Sequence, residues 1–500
     1  MFEHNEVNGL PAEDSAGVPL GPPATLLKRW PYARPLVLLH SGRPHPRWAR
    51  WSLAAEPVGF LTLETDHTWR TRGKLPAPTA ALDGRVADLE QDLSALPGFG
   101  RIEPASAAME ANQAGGWACV LSYDLGRHFE PAAQLTEDKP VRARDDRGWP
   151  RIALAWCPNV MVFDHAQNQW RWRGCPTALA ELQASLAQPM TTELEAELEA
   201  ELEAKPENVQ QIGTLESSFA PEDYLNAVER AVAYIGAGDV FQVNLTQRFS
   251  ASFDGSVREL ARGAFTSAEP HYGAMIDLPD GRGVISMSPE LLLEVDPRTR
   301  QVVTRPIKGT RPGTADPAEL EQSEKDCAEL TMITDLMRND LGRVCRLGSV
   351  RVPEPRVIEA HPTVLHGVST VTGVLRDEIT MVDLLRATFP GGSITGAPKI
   401  RAMQIIDELE PVRRGAYCGS IGWIGADGSA RLNIAIRTMM LTGERTLDRW
   451  DRLQGVLDYG AGGGIVADSI PEAEYRESLD KAAVLRMAIK APETAASTVK

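Results

Sequence analysis

Apolar and polar positions along the chain follow two different periods, and the change falls near the middle. From about Leu26 to Cys175, short apolar or aromatic runs (PLVLLHSG, VGFLTLE, WACVLSYDLG, IALAWCPNVMVFD) are separated by polar turns, the pattern of strands. Further on, helical spacing enters. PEDYLNAVERAVAYIGAGD places Tyr224, Val228, Ala231, Val232 and Ile235 on one face, with Gly236 and Gly238 positioned to end the helix. In VFQVNLTQRF, Phe241, Val243 and Leu245 alternate with Gln242, Asn244 and Thr246, a strand with one apolar face and one face of amides and a hydroxyl. Alternation alone favours a solvent-facing edge for that polar face over a binding face. Residues 320–344 predict one helix, with Cys327, Leu330, Ile333, Leu336, Met337 and Leu341 on or near one side and Glu329 off it. FPGGSITGAPK predicts a glycine-bearing loop and a helix starting at Pro398, an arrangement that aims free amides at an anion such as a carboxylate. Ser469 and Glu472 have the spacing of a capping box for the last helix.

These patterns divide the chain into an acidic, Gly/Pro-rich mobile arm at 1–25, a strand-rich region at 26–190, an acidic linker at 191–216, a second region at 217–490 and a tail at 491–500. Within the linker, TELEAELEAELEAK repeats leucine at 194, 198 and 202 and predicts a solvated helix. A length of 500 residues, 43% hydrophobic and 24% charged, fits a folded chain of enzyme size. The net charge of -16 argues against a nucleic-acid partner. The N-terminus lacks the basic start and apolar core of a secretory signal, and no apolar run approaches membrane length. Six cysteines without a CxxC pair point to neither zinc nor disulfides and fit a reducing cytoplasm.

Two glycine-rich stretches fail as nucleotide motifs. GAGGGIVA has no βαβ context, and in GGSITGAPK Lys399 neither directly follows the required glycine nor precedes a Ser or Thr, so it does not match a P-loop. The turn TRPIKGTRPG sets Lys308 between Arg305 and Arg311 with no acid in the stretch. An amine placed so either pairs with an anion or, its pKa lowered by like charge and burial, acts as a nucleophile.

In order and spacing, PIKGTRPG, DLMRNDLGRV, HGVSTVTG, FPGGSITGAPK, GAYCGSIGWIG and GAGGGIVADSIPEAEYRES resemble the chorismate-utilising enzymes over about residues 219–489. GGWACVLSYDLGRHFE extends the likeness toward members that depend on an amidotransferase. The resemblance implies an α+β fold, a two-layered antiparallel β-sandwich with surrounding helices, and a chorismate-binding catalytic domain at 217–490. It implies a Mg2+ cofactor held by Glu329 and Glu477, each of which alone is an ordinary surface-helix acid. Arg437, Tyr417, Gly309, Thr310, Gly462, Gly463 and Gly464 match residues that hold the substrate's carboxylates, and Glu290 the acid that protonates the departing C4 hydroxyl. His366 and Ser393 match positioning residues. Two positions separate the branches. Members that add water carry a lysine base where Gln242 stands, and members that aminate carry glutamine. Lys308 matches the C4-aminating branch, the aminodeoxychorismate synthases, whereas anthranilate synthases have alanine there. The expected reaction is therefore amination of chorismate at C4 with Lys308 as nucleophile, using ammonia from a separate glutamine amidotransferase subunit, toward 4-aminobenzoate and folate. An anthranilate synthase, or a silent subunit that only docks the amidotransferase, is the alternative.

Overall fold

The computed structural model describes residues 20–43, 45–102, 115–134, 143–187, 211–361, 364–446 and 449–490. The arm up to residue 19, the leucine repeat at 194–202 and the tail lie outside the described residues. Among the described residues, two antiparallel sheets, of 12 and 11 strands, form an α+β sandwich. Residues of both sheets, among them Val37, Leu53 and Ile276 of the first and Leu61, Trp117 and Leu432 of the second, share one core between the layers. A second core lies between the first sheet and helices Leu26–Arg29 and Val257–Ala268. In strand Val37–His40, Val37 joins the first core and Leu38 the second. A strand covered on both faces reads as an unbroken apolar run, which is why PLVLLH does not alternate.

The regions at 26–190 and 217–490 are not separate bodies. Strand Val37–His40 pairs with Tyr272–Leu278 in the first sheet, and Gly116–Leu121 pairs with Ser420–Gly425 in the second. Each sheet takes four strands from the first region as the continuation of strands from the second. The outer boundaries shift as well. Leu20 is buried and Trp170 Nε1 donates to the Gly21 carbonyl at 2.9 Å, so residues 20–25, expected in the arm, pack on the sheet. Gln211, Ile212 and Glu216, expected in the linker, pair with strand Gln242–Ser256.

Several elements differ from their expected form. The helix expected at 320–344 is two, Pro317–Glu321 and Glu324–Gly342, because the Ser323 hydroxyl accepts from the Asp326 amide and starts a new one. Cys327 is exposed rather than on the buried side. The helix after the glycine loop begins at Lys399, one residue later than expected. Ser469 Oγ accepts from the Val466 amide and donates to Glu474 at 2.7 Å, and its own amide goes to the Val466 carbonyl, so the expected capping box with Glu472 does not form. Phe241 is 72% exposed, whereas the polar face of Gln242, Asn244 and Thr246 is buried. That strand is flanked by Arg452–Ile465 on one side and by Gly396–Ala397 and Glu216–Ser217 on the other, so it is no open edge. No described helix is long and apolar enough to cross a membrane.

Candidate active site

Close approach of backbone to side chains starts the site. Gly464 lies opposite Asn244 in the pairing of Gln242–Ser256 with Arg452–Ile465. A Cβ on Gly464 would come within 2.7 Å of Gln242 Nε2 and 3.3 Å of Lys308 Nζ, so only glycine leaves room for both side chains. Gln242 Nε2 donates to Glu329 at 3.3 Å, while its buried Oε1 has no hydrogen-bond partner. The buried polar face of this strand is thus a wall of the site.

Lys308 comes from the second sheet, on strand Ile307–Pro312, opposite Gly367. Burial holds its pKa below the ordinary lysine value, opposed by the negative charges of Glu329, Glu290 and Glu477. The two arginines of the turn do not supply this effect. Arg305 pairs with Glu359 and lies over the Trp48 ring at 4.1 Å, and Arg311 pairs with Asp326 at 2.7 Å. Each is engaged elsewhere by an acid that the local sequence does not contain. At the following residue, Gly309, φ is +80°, the left-handed region that suits glycine.

Glu290 is 4% exposed, and burial pushes its carboxyl up to about 7. Hydrogen bonds from Ser393 and from the Ile307 amide (3.4 Å), with the charge of Lys308, pull the other way and are outweighed. A carboxyl so placed carries a proton near neutral pH and can deliver it. Ser393, on a fully buried loop, thereby has its place beside this acid.

His366 lies between Thr310 and Arg437. Its Nδ1 is 3.0 Å from Thr310 Oγ1 and its Nε2 3.2 Å from Arg437 Nη2. A guanidinium only donates, so Nε2 accepts and the ring proton sits on Nδ1. Burial and Arg437 hold the pKa of His366 well below its ordinary value, which keeps the ring neutral. Thr310 then accepts from the ring and keeps its own proton for another acceptor. Among the described residues no carboxylate pairs with the half-buried Arg437, whose φ of +49° is strained for a residue with a side chain. An unpaired guanidinium with a free hydroxyl beside it is suited to a carboxylate.

Two helices bring the acids. Glu329 lies on Glu324–Gly342 and is half-buried. Glu477, on Pro471–Lys490, is exposed and pairs with Lys481 at 2.6 Å, and Lys481 also donates to the Gly462 carbonyl at 2.9 Å. A Cβ on Gly463 would lie 3.1 Å from Glu474 Oε2 and 3.7 Å from Glu477 Oε1. Sequence reasoning missed Glu474, a buried acid raised above its ordinary pKa by burial and by Glu477. The E-x-x-E spacing in EAEYRES, one helical turn, was the available signal. Tyr417 stands at the margin, its ring filling the space a Cβ on Gly460 would need (2.2 Å). The fold brings Gln242, Gly464, Lys308, Glu290, Glu329 and Glu477 toward one another and links Thr310, His366 and Arg437 in one chain. The ensemble provides a depressed amine, a protonated carboxyl, an anion clamp and a set of hard carboxylate oxygens, which suit acid-assisted substitution on a carboxylated substrate.

The profile of the chorismate binding enzyme family matches residues 60–487, and the chain belongs to that family. It is an enzyme that acts on chorismate. The chain is 37% identical over 453 residues, 89% of its length and 91% of the relative's, to aminodeoxychorismate synthase component 1 of Salmonella typhimurium. It is 39% identical over 393 residues (76% of its length and 78% of the relative's) to anthranilate synthase component 1 of Thermus thermophilus. Among solved structures it resembles anthranilate synthase component I of Streptococcus pneumoniae TIGR4, with a TM-score of 0.67 and 30% identity, covering 89% of this chain and 93% of that one.

Proposed function

We propose that the chain aminates chorismate at C4, giving 4-amino-4-deoxychorismate, the precursor of 4-aminobenzoate for folate, as the chorismate-binding component of an aminodeoxychorismate synthase. The observation that carries this reading is Lys308, whose buried amine is depressed by burial, feels the charges of Glu329, Glu290 and Glu477, and shares the space beside Gly464 with Gln242. Arg437 and Thr310 hold one substrate carboxylate. Neutral Lys308 attacks C2, the ring double bonds shift, and the C4–O bond breaks as Glu290 passes its proton to the departing oxygen, which leaves as water. Ammonia then bonds to C4 while the double bonds return and the C2–N bond to Lys308 breaks. The enolpyruvyl ether survives, so no pyruvate is released. Gln242 supplies no base, which keeps water from adding at C2.

Glu329 and Glu477, with Glu474 beside them, offer carboxylate oxygens of the kind Mg2+ takes; a bound Mg2+ would neutralise and orient the ring carboxylate. Ammonia would come from a partner glutamine amidotransferase, and the "component 1" in the relatives' names supports such a division of labour. Mass spectrometry of products formed from chorismate, Mg2+ and ammonium salt tests the reading. The 4-amino product without pyruvate is expected; anthranilate with pyruvate would refute it.

A further inference from the structure

We propose that His271, Glu359 and His361 form a binding site for a transition-metal cation of the Zn2+ class, distinct from the acidic cluster around Lys308. The three donors come from separate places in the chain. His271 directly precedes strand Tyr272–Leu278 of the first sheet, Glu359 lies near the end of Arg351–Ala360 in the second, and His361 follows that strand. One ligand atom from each lies within 4.8 Å of the other two, with His271 Nδ1 to Glu359 Oε2 at 4.0 Å and the imidazole centroids 4.4 Å apart.

What marks the cluster is unmet bonding capacity. His271 and His361 are 4% and 7% exposed, yet His271 Nδ1 and His361 Nε2 are buried without any hydrogen-bond partner. An orphan of this kind is costly, and two of them in one buried cluster are rare. A shared cation satisfies both. Arg305 engages one oxygen of Glu359 and leaves Oε2 facing His271, the outer support that ligating carboxylates commonly have.

Two imidazoles and a carboxylate with a fourth position for water are a zinc-type donor set, whereas Mg2+ prefers oxygen alone. Arg305, Arg43 and Arg431 lie close to His271, which weakens any cation held by charge alone and favours one held by directed imidazole bonds. Bonds of about 2.0–2.1 Å require the donors to draw in by about an ångström. His361 lies 5.1 Å from His366, so the metal would stand next to the Thr310–His366–Arg437 chain while taking none of its donors.

The test titrates the full chain with Co2+ and Zn2+ in excess Mg2+, which keeps the acidic cluster occupied. Expected are one Co2+ per chain, a d–d spectrum free of thiolate charge-transfer bands, and a higher melting temperature with Zn2+. His271→Asn and His361→Asn should each weaken binding by about a hundredfold and remove the thermal shift, while Cys327→Ser changes neither. Should His271→Asn fail to fold, His361→Gln, which removes a nitrogen that makes no hydrogen bond, carries the test. Co2+ binding unchanged in a folded His361 variant, thiolate bands, or no Co2+ bound would overturn the proposal.

Discussion

Burial lowers the pKa of Lys308 and raises that of Glu290, and substitutions separate the roles proposed for them. Lys308→Ala should lower C4 amination by about 10²- to 10⁴-fold, with residual product shifting toward the 2-amino isomer, read by mass spectrometry. Lys308→Arg keeps the charge but is no nucleophile at neutral pH; it should be as impaired as alanine, and near-normal rates would make Lys308 a clamp. If Glu290 is the acid of the proposed reaction, the rate should fall as pH rises through about 7, and Glu290→Gln should lose that limb along with most activity. Stability follows the same group. With its folded value raised from 4.5 to about 7, the native state holds an extra proton in that window. Stability should therefore fall as pH rises across it, by up to about 3 kcal/mol, and Glu290→Gln should flatten the denaturation profile.

The strand Gln242–Ser256 and the two acid-bearing helices carry the next level of argument. Gly464→Ala would drive a methyl against Gln242 and Lys308, so it should cut turnover at least about tenfold while the melting temperature moves little, because flexible side chains can yield. Gln242→Lys should produce traces of isochorismate, detected by chromatography, since it sets a base where water adds. Glu329→Gln and Glu477→Gln should each raise the Mg2+ needed for half-maximal rate by about tenfold or more in kinetic titration. The alternation around Gln242 was legible in the sequence as a strand, but its polar face pointed to solvent until the neighbouring strands were known. Local pattern reports the period of a strand and not what lies beside it. For the same reason Arg305 and Arg311 looked like the cause of the depressed amine, while Glu359 and Asp326, distant in sequence, take up both charges. The motifs pointed to the candidate residues because these cluster in short turns, whereas Glu474 needed the helix register to be seen.

At the scale of the molecule, the two regions read from composition are halves of one sandwich, four strands of each sheet being donated by the first. Expressed alone, 1–190 and 211–500 should both be insoluble, since each exposes long sheet edges. Co-expressed, they should pair and recover chorismate-dependent activity, measured after co-purification. The shared pairing also sets a timetable for synthesis. Val37–His40 leaves the ribosome long before its neighbour Tyr272–Leu278 exists. At roughly 5–20 residues per second, that strand waits on the order of tens of seconds with apolar residues on both faces and one edge open, paired only with Trp51–Ala55 on the other. A nascent chain stalled short of residue 270 should be protease-sensitive and bound by chaperones, and the enzyme's yield in cells should depend on holdase capacity more than on the stability of the finished fold.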